Sequence, residues 1–340
     1  MRRERKIKKQ RRLMIISLFI ILLYLSIGYS AFSTNITVNI KGNIKDMSAA
    51  KYLKTLVVSS GNGLYKDIYH DNRYIYKGTA PNNYILLNND LYRIISVEND
   101  NTLKVLKNTS IGTMSYDTQD NRYDPDTYCN NNAQGCKIWS SKTTTLNALG
   151  IPIEIGIREV GGTEYTLPEK EATLNTYLNN EWYQSLNEDI KNLITIHDFN
   201  EGTLNYRETI VTNSIKENEA YKWHGKVALL TAIDYISANN NNNCNTMNSN
   251  TWDANLYRTC KLTNYISTLV STKAWLMSPF STGEETSAVH VMYINTVGAI
   301  GSWGAWSSST HDVFPVFFLK SNITLKGNGT LSNPYIPASA

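Results

Sequence analysis

Apolar and polar positions along this 340-residue chain change their period several times, and each change marks an element. In "NNYILLNNDLYRIISVENDNTLKVLKN" three apolar runs are separated by NND and ENDN, which predicts an antiparallel β-meander. Further on the period lengthens. "TLPEKEATLNTYLNN" places Leu174, Tyr177 and Leu178 on one helical face, with a capping box expected at Thr166 and Glu169 and Pro168 in the first turn. "SLNEDIKNLI" repeats the device with Ser185 and Glu188, and buries Leu186, Ile190, Leu193 and Ile194; Trp182 and Tyr183 fall at the corner between the helices, as core anchors. "KVALLTAIDYISA" reads as a buried strand, Lys226 to Leu230, leading into a helix capped by Thr231. "SAVHVMYINTVGAIG" alternates like a half-buried strand, and "DVFPVFFLK" is apolar enough to be central. A weaker alternating piece, "NITVNIKGNIK", and a short helix, "AAKYLKTLVV", precede all of these. Strands flanking a pair of packed helices predict an α+β fold with antiparallel sheets.

The amino end changes the compartment. "MRRERKIKKQRR" carries eight Lys or Arg and one Glu, and runs into the apolar "LMIISLFIILLYLSIGY", Leu13 to Tyr29. A basic segment followed by an apolar one is a signal peptide or a membrane anchor, and the positive-inside rule places the rest of the chain outside the cell. Gly28 and Ser30 have the small-residue spacing of a signal-peptidase site, with cleavage between Ser30 and Ala31; a retained transmembrane helix is the alternative. This leader resembles that of TasA and camelysin-type secreted proteins. Taking its eight basic and one acidic residue away from totals of 33 and 29 leaves 25 and 28, a net charge near −3 instead of +4. The basicity belongs to the targeting segment, and no basic stripe with interleaved aromatics points to nucleic acid.

Four cysteines remain, Cys129 and Cys136 with six residues between them and Cys244 and Cys260 with fifteen. In an exported chain an even count reads as disulfides, and of the three possible pairings the two local ones are favoured. Neither pair has the C-x2-C spacing or nearby His of a zinc site. Between them, "YDTQDNRYDPDTYCNNNAQGC" gathers Asp117, Asp120, Asp124 and Asp126 without the fixed pattern of a calcium loop, so a stapled, solvated loop is expected and no cofactor is assigned.

The blocks "GLYKDIYHDNRYIYKGTAPNNYILLNNDLYRIIS", "YLNNEWYQSL", "GKVALLTAIDYI", "AWLMSP" and "FPVFFLKSNITLKGNGTLSNPY" resemble, in order from Gly63 to Tyr335, an uncharacterised domain family of Gram-positive surface proteins. The resemblance implies an aromatic-Arg-Ile-Ile strand, a Leu-Asn helix, a Trp-x-x-Ser-Pro turn and a closing strand. That family is in turn similar in organisation to the C-type-lectin-like fold, so the implied architecture is α+β and lectin-like, with two packed helices and long disulfide-stapled loops behind an N-terminal signal or transmembrane helix. Met277 and Phe314 stand where the family often carries Arg, and no site built on those arginines carries over. The implied organisation is a leader at 1–30, a short strand, helix and linker at 31–62, a globular domain at 63–321 and a tail at 322–340. That tail has neither a stop-transfer segment nor an LPxTG sorting signal. Formylglycine-generating enzymes share the lectin-like architecture, but a shared fold assigns no activity.

Ser278, in "AWLMSPFS", lacks the Gly-rich elbow of a nucleophile, and the following proline biases it toward extended backbone at a turn. His224, His290 and His311 show no i, i+4 metal spacing. The reading therefore leans away from an enzyme, with no catalytic residue and no metal. "GAIGSWGAWSSSTHD" is the candidate ligand-binding loop: Trp303 and Trp306 offer rigid contact faces and Ser307 and Ser308 hydrogen-bonding groups, with Tyr293, His311 and Asp312 as neighbours; the alternative is that both tryptophans cover the hydrophobic sheet. These residues predict a cell-surface recognition or adhesion protein that binds an extracellular glycan or protein and touches the membrane through its N-terminal helix. The alternative is a self-assembling envelope or biofilm-matrix subunit, and a hydrolase is the least favoured class.

Overall fold

The computed structural model describes residues 47–68, 70–130, 135–146, 149, 152–160, 163–201, 204–205, 222–246, 254–281, 289–305 and 310–339. The leader, the Ser30–Ala31 junction and the alternating piece at 35–45 lie outside these residues. Among those described, no helix is long and apolar enough to cross a membrane. Residues from Asp46 onward form one compact unit.

Its centre is an eight-stranded sheet. β1 (Gly63–Lys66), β2 (Tyr74–Lys77), β4 (Asp90–Val97), β5 (Leu103–Lys107), β20 (Val316–Leu319) and β11 (Ile194–Thr195) follow one another, while β3 (Tyr84–Leu87) also pairs with β4 and β15 (Val227–Ala228) with β20. The meander forms as the pattern predicts. Asn88 and Asn89 both adopt positive φ, 46° and 68°, the two-residue turn that matches strand twist and suits asparagine. All four residues of β20 are buried, and Phe317 meets Tyr92 edge-on at 5.3 Å, so "VFFL" is central as expected.

A six-stranded sheet runs β18 (Ile300–Gly304), β17 (His290–Ile294), β16 (Ala274–Ser281), β19 (His311–Asp312), β6 (Thr113–Met114), with β13 (Leu204–Asn205) also on β16. A smaller sheet joins β12 (His197–Asn200), β14 (Lys222–Gly225), β7 (Thr143–Leu146) and β8 (Pro152–Ile155). Two hairpins complete the set, β9 (Ile157–Val160) with β10 (Thr163–Thr166) and β21 (Ile323–Lys326) with β22 (Ile336–Ser339). Sheets, few helices and two disulfides make an α+β unit. Residues 47–62 and 322–339, set apart in the sequence reading, belong to the same unit: Leu53 and Tyr335 are fully buried, and Leu86 N–H donates to Tyr335 O at 2.8 Å.

The helices start later than predicted. Thr166 ends the β9–β10 hairpin and never caps; helical backbone runs from Thr173 to Ser185, through a π-turn at Tyr177–Trp182. The cap comes from far away, because Thr173 N–H donates to Asp117 Oδ1 at 3.0 Å. The next helix, Glu188–Leu193, is capped by Asn187 rather than Ser185, whose hydroxyl instead donates to Trp182 O. Trp182 and Tyr183 are buried as anchors, inside the first helix and not at a corner. Thr231 caps Ala232–Ser237 through a reciprocal box with Asp234, as the pattern predicts.

Candidate functional site

The candidate binding residues sort by depth on the second sheet. Trp275 is buried, with its indole N–H donated to Met114 O at 2.8 Å. His311 stacks on it at 4.0 Å, and Tyr293 meets His311 edge-on at 4.9 Å. Tyr293 lies opposite Gly301 in β18, where a Cβ would come 2.8 Å from the phenol ring, so glycine lets the ring lie across the strand. Trp303 is 51% exposed, and Lys273 Nζ stands 5.2 Å from the Tyr293 centroid and 5.3 Å from that of Trp303. The result is a graded aromatic stack, dry at Trp275 and open at Trp303, with a cation over its outer two rings.

Three candidates are placed differently from the sequence reading. Trp303 sits on an edge strand and His311 and Asp312 form β19, so the expected loop is largely sheet. His311 is 5% exposed: its Nδ1–H donates to Thr310 O at 2.7 Å, and Nε2 is buried with no partner among the described residues. Burial holds this imidazole below its ordinary pKa, helped by Lys273. Asp312 accepts the Thr272 hydroxyl at 2.6 Å. Trp306, Ser307 and Ser308 lie outside the described residues.

Ser278 is not at a turn. It is fully buried within β16, and its Oγ accepts the N–H of Ala232 at 2.9 Å, satisfying an otherwise orphaned donor at a helix start. The register of β16 on β17 shifts between Trp275 and Pro279, the irregularity that a proline without an N–H favours.

Both local disulfides form, Cys129–Cys136 and Cys244–Cys260, and no cysteine is free. Such bonds are the mark of an oxidising, extracellular-type compartment. Beside the first, Asp117 is wholly buried and accepts from Arg122 Nε (2.9 Å), Asn121 Nδ2 (2.9 Å), Cys136 N (3.0 Å) and Thr173 N and Oγ1 (3.0 Å each). This carboxylate ties the stapled loop to the helix. Asp124 closes a local turn by accepting Asp126 N–H at 2.9 Å. Among the described residues, no three His, Cys, Asp or Glu are grouped to hold a metal ion.

A second feature escaped the sequence reading. At the β4–β5 turn, between the central sheet and β12–β14, lies a cavity of about 490 Å³ lined mainly by charged and amide side chains. Arg73 donates from Nε to Glu98 (2.9 Å) and from Nη1 to Asp67 (3.0 Å), with Asp234 at 3.7 Å; Lys104 Nζ contacts Asp234 at 2.6 Å. Burial would lower the Arg73 pKa, but Glu98, Asp234 and Asp67 hold it above the usual value. Burial would likewise raise Asp234, yet Lys104 and Arg73 keep it below the ordinary aspartate range. Histidine–aspartate pairs ring the network: His70–Asp67 (2.9 Å), His197–Asp100 (3.1 Å) and His224–Asp198 (2.8 Å). The only forewarning was the Thr231 cap, and it gave no sign that Asp234, in the helix it opens, meets Lys104.

No family model matches the chain, and no curated protein or solved structure matches it either.

Proposed function

We propose that this chain is an exported surface-recognition protein that binds an extracellular glycan or protein through the exposed face of β16–β18. The observation that carries this reading is Trp303, an indole half in solvent on an edge strand, flanked by Tyr293 and overlain by Lys273. Large rigid aromatics present contact area at little entropic cost, and sugar rings stack on such faces. The buried Trp275–His311 layer beneath keeps Tyr293 in place, so the platform exists before the ligand arrives. The wider reading takes the unit as C-type-lectin-like and as a member of the Gram-positive surface family. Support comes from the ordered blocks between Gly63 and Tyr335 and from helices packed beside sheets whose loops carry the disulfides. The leader delivers the chain and attaches it to the membrane or is cleaved. Burial of Ser278 removes the serine weighed as a nucleophile.

The test is binding of the oxidised full chain to a glycan panel and to bacterial and host surfaces, beside Trp303→Ala. We expect saturable binding that weakens by about 2 kcal/mol or more in the variant, the size of a hot-spot loss, with an unchanged thermal midpoint. Equal binding by Trp303→Ala, or none by the wild type, would sink the proposal.

One observation favours a second reading, self-assembly as an envelope or matrix subunit: among the described residues β18 pairs only with β17, which leaves an open edge. Oligomers that grow with concentration in sedimentation support it, and a monomer at high concentration counts against it.

A further inference from the structure

We infer that the charged cavity is a second binding site, independent of Trp303, and that its ligand is a small acidic sugar bearing one carboxylate. Most of the charge on its walls is already committed. Glu98 serves Arg73 and Ser96, Asp100 serves Thr102 and His197, Asp198 serves His224, and Asp234 serves Lys104 and the Thr231 N–H. Three side chains on the wall are left without such a partner among the described residues: the Lys222 ammonium and the carboxamides of Asn99 and Asn200. Asn200 and Lys222 are directly opposite one another across β12 and β14, so an amide and a cation face the same space.

These three groups define the chemistry. One uncommitted positive charge matches one carboxylate; a phosphate ester, with about −1.5 to −2 charges, would instead meet the carboxylates of Asp100 and Asp198. Carboxamides both donate and accept, which suits hydroxyl groups. An apolar ligand finds little purchase, since Ile233 and Phe318 are the only apolar lining residues among the described ones and the His197 ring covers Phe318 at 3.8 Å. The volume lies within the roughly 300–1,000 Å³ of small-molecule sites. The ion network fixes the walls beforehand, so binding costs little reorganisation.

The experiment is calorimetric titration of the oxidised full chain with glucuronate, and with glucose and inorganic phosphate alongside. Glucuronate is expected to bind saturably and glucose at least about tenfold more weakly, a difference near 1.4 kcal/mol. Lys222→Gln should reduce glucuronate to the level of glucose, Lys222→Arg should largely retain it, and both should keep the wild-type thermal midpoint because Lys222 lies outside the ion network. Trp303→Ala should leave the titration unchanged. The inference is overturned if glucuronate shows no binding up to about 10 mM, a level weaker than ordinary ligand affinities. It is equally overturned if glucose binds as tightly, if phosphate binds more tightly than glucuronate, or if Lys222→Gln has no effect.

Discussion

Around the charged cavity, segments spread from His70 to Phe318 each contribute one to three side chains, whereas the aromatic face is built mostly by the hairpin of β17 and β18 with Lys273 and His311 beside it. In the cavity each charge is tolerable only because the others are present. Asp234 and Lys104 are almost wholly buried, where an isolated ion is costly, and their contact offsets that cost. On the aromatic face the exposed member, Trp303, depends on nothing below it to remain folded. The ion network of the cavity is therefore coupled tightly to stability and Trp303 only loosely, so substitutions in the two act mainly on different properties.

Asp234→Ala gives the largest effect. It strands Lys104 and removes one partner of Arg73, and breaking a buried pair from one side typically costs about 3–5 kcal/mol. It also deletes half of the Thr231 capping box, so the helix at 232–237 loses its start. Chemical denaturation should show the loss in the midpoint; a change below about 1 kcal/mol would mean the network is solvated and the contrast with the aromatic face is wrong. Because Asp234 is held below its ordinary pKa, its stabilisation is complete above the unfolded value of about 3.9 and disappears as pH falls from there through the lower folded value. Wild-type stability should drop steeply below about pH 4, and Asp234→Asn, less stable at neutral pH, should drop less.

Ser278→Ala sharpens the comparison because Ser278 belongs to the sheet of the aromatic face yet holds the helix that carries Asp234. Losing its Oγ leaves the buried Ala232 N–H without a partner, a cost of about 1–3 kcal/mol. The neighbouring contact, Met277 N–H to Leu230 O at 2.7 Å, holds the strand in place, so the fold should survive. Ser278→Thr, which keeps an acceptor, should cost more than Ser278→Ala if packing dominates and less if the hydrogen bond does; denaturation midpoints of the two decide.

The same contrast explains what could be read in advance. The meander was legible because "NN" turns and alternating runs act locally, and the central position of "VFFL" because an unbroken apolar strand must be covered on both faces. The start of the first helix was not, since its cap is Asp117, remote in sequence, while the local box at Thr166 was taken up by a hairpin with β9. Ser278 was misplaced for a related reason: Ser-Pro signals a turn locally, but a bulged strand also accommodates proline. Trp303 announced itself in a Trp-, Ser- and Gly-rich stretch, with Tyr293 as its expected neighbour. The cavity could not, because Arg73, Lys104, Lys222 and Asp234 each look like an ordinary surface charge until the fold brings them together.

His311→Phe is the smallest perturbation and it separates the two regions by pH. The phenyl ring keeps the stack on Trp275; the lost bond to Thr310 O is offset by removing a buried, partnerless Nε2, so stability near pH 8 should change by no more than about 0.5 kcal/mol. In the wild type, burial and Lys273 outweigh Thr310 and Asp312 and keep the ring neutral below the ordinary histidine value. The unfolded chain then takes up a proton that the folded one refuses, so stability declines as pH falls through about 6.5, and the decline ends once the folded ring also protonates. His311→Phe should flatten this shallow slope and leave the steep loss below pH 4 untouched. A variant that tracks the wild type between about pH 7 and 5 would mean that the His311 imidazole does not produce this slope.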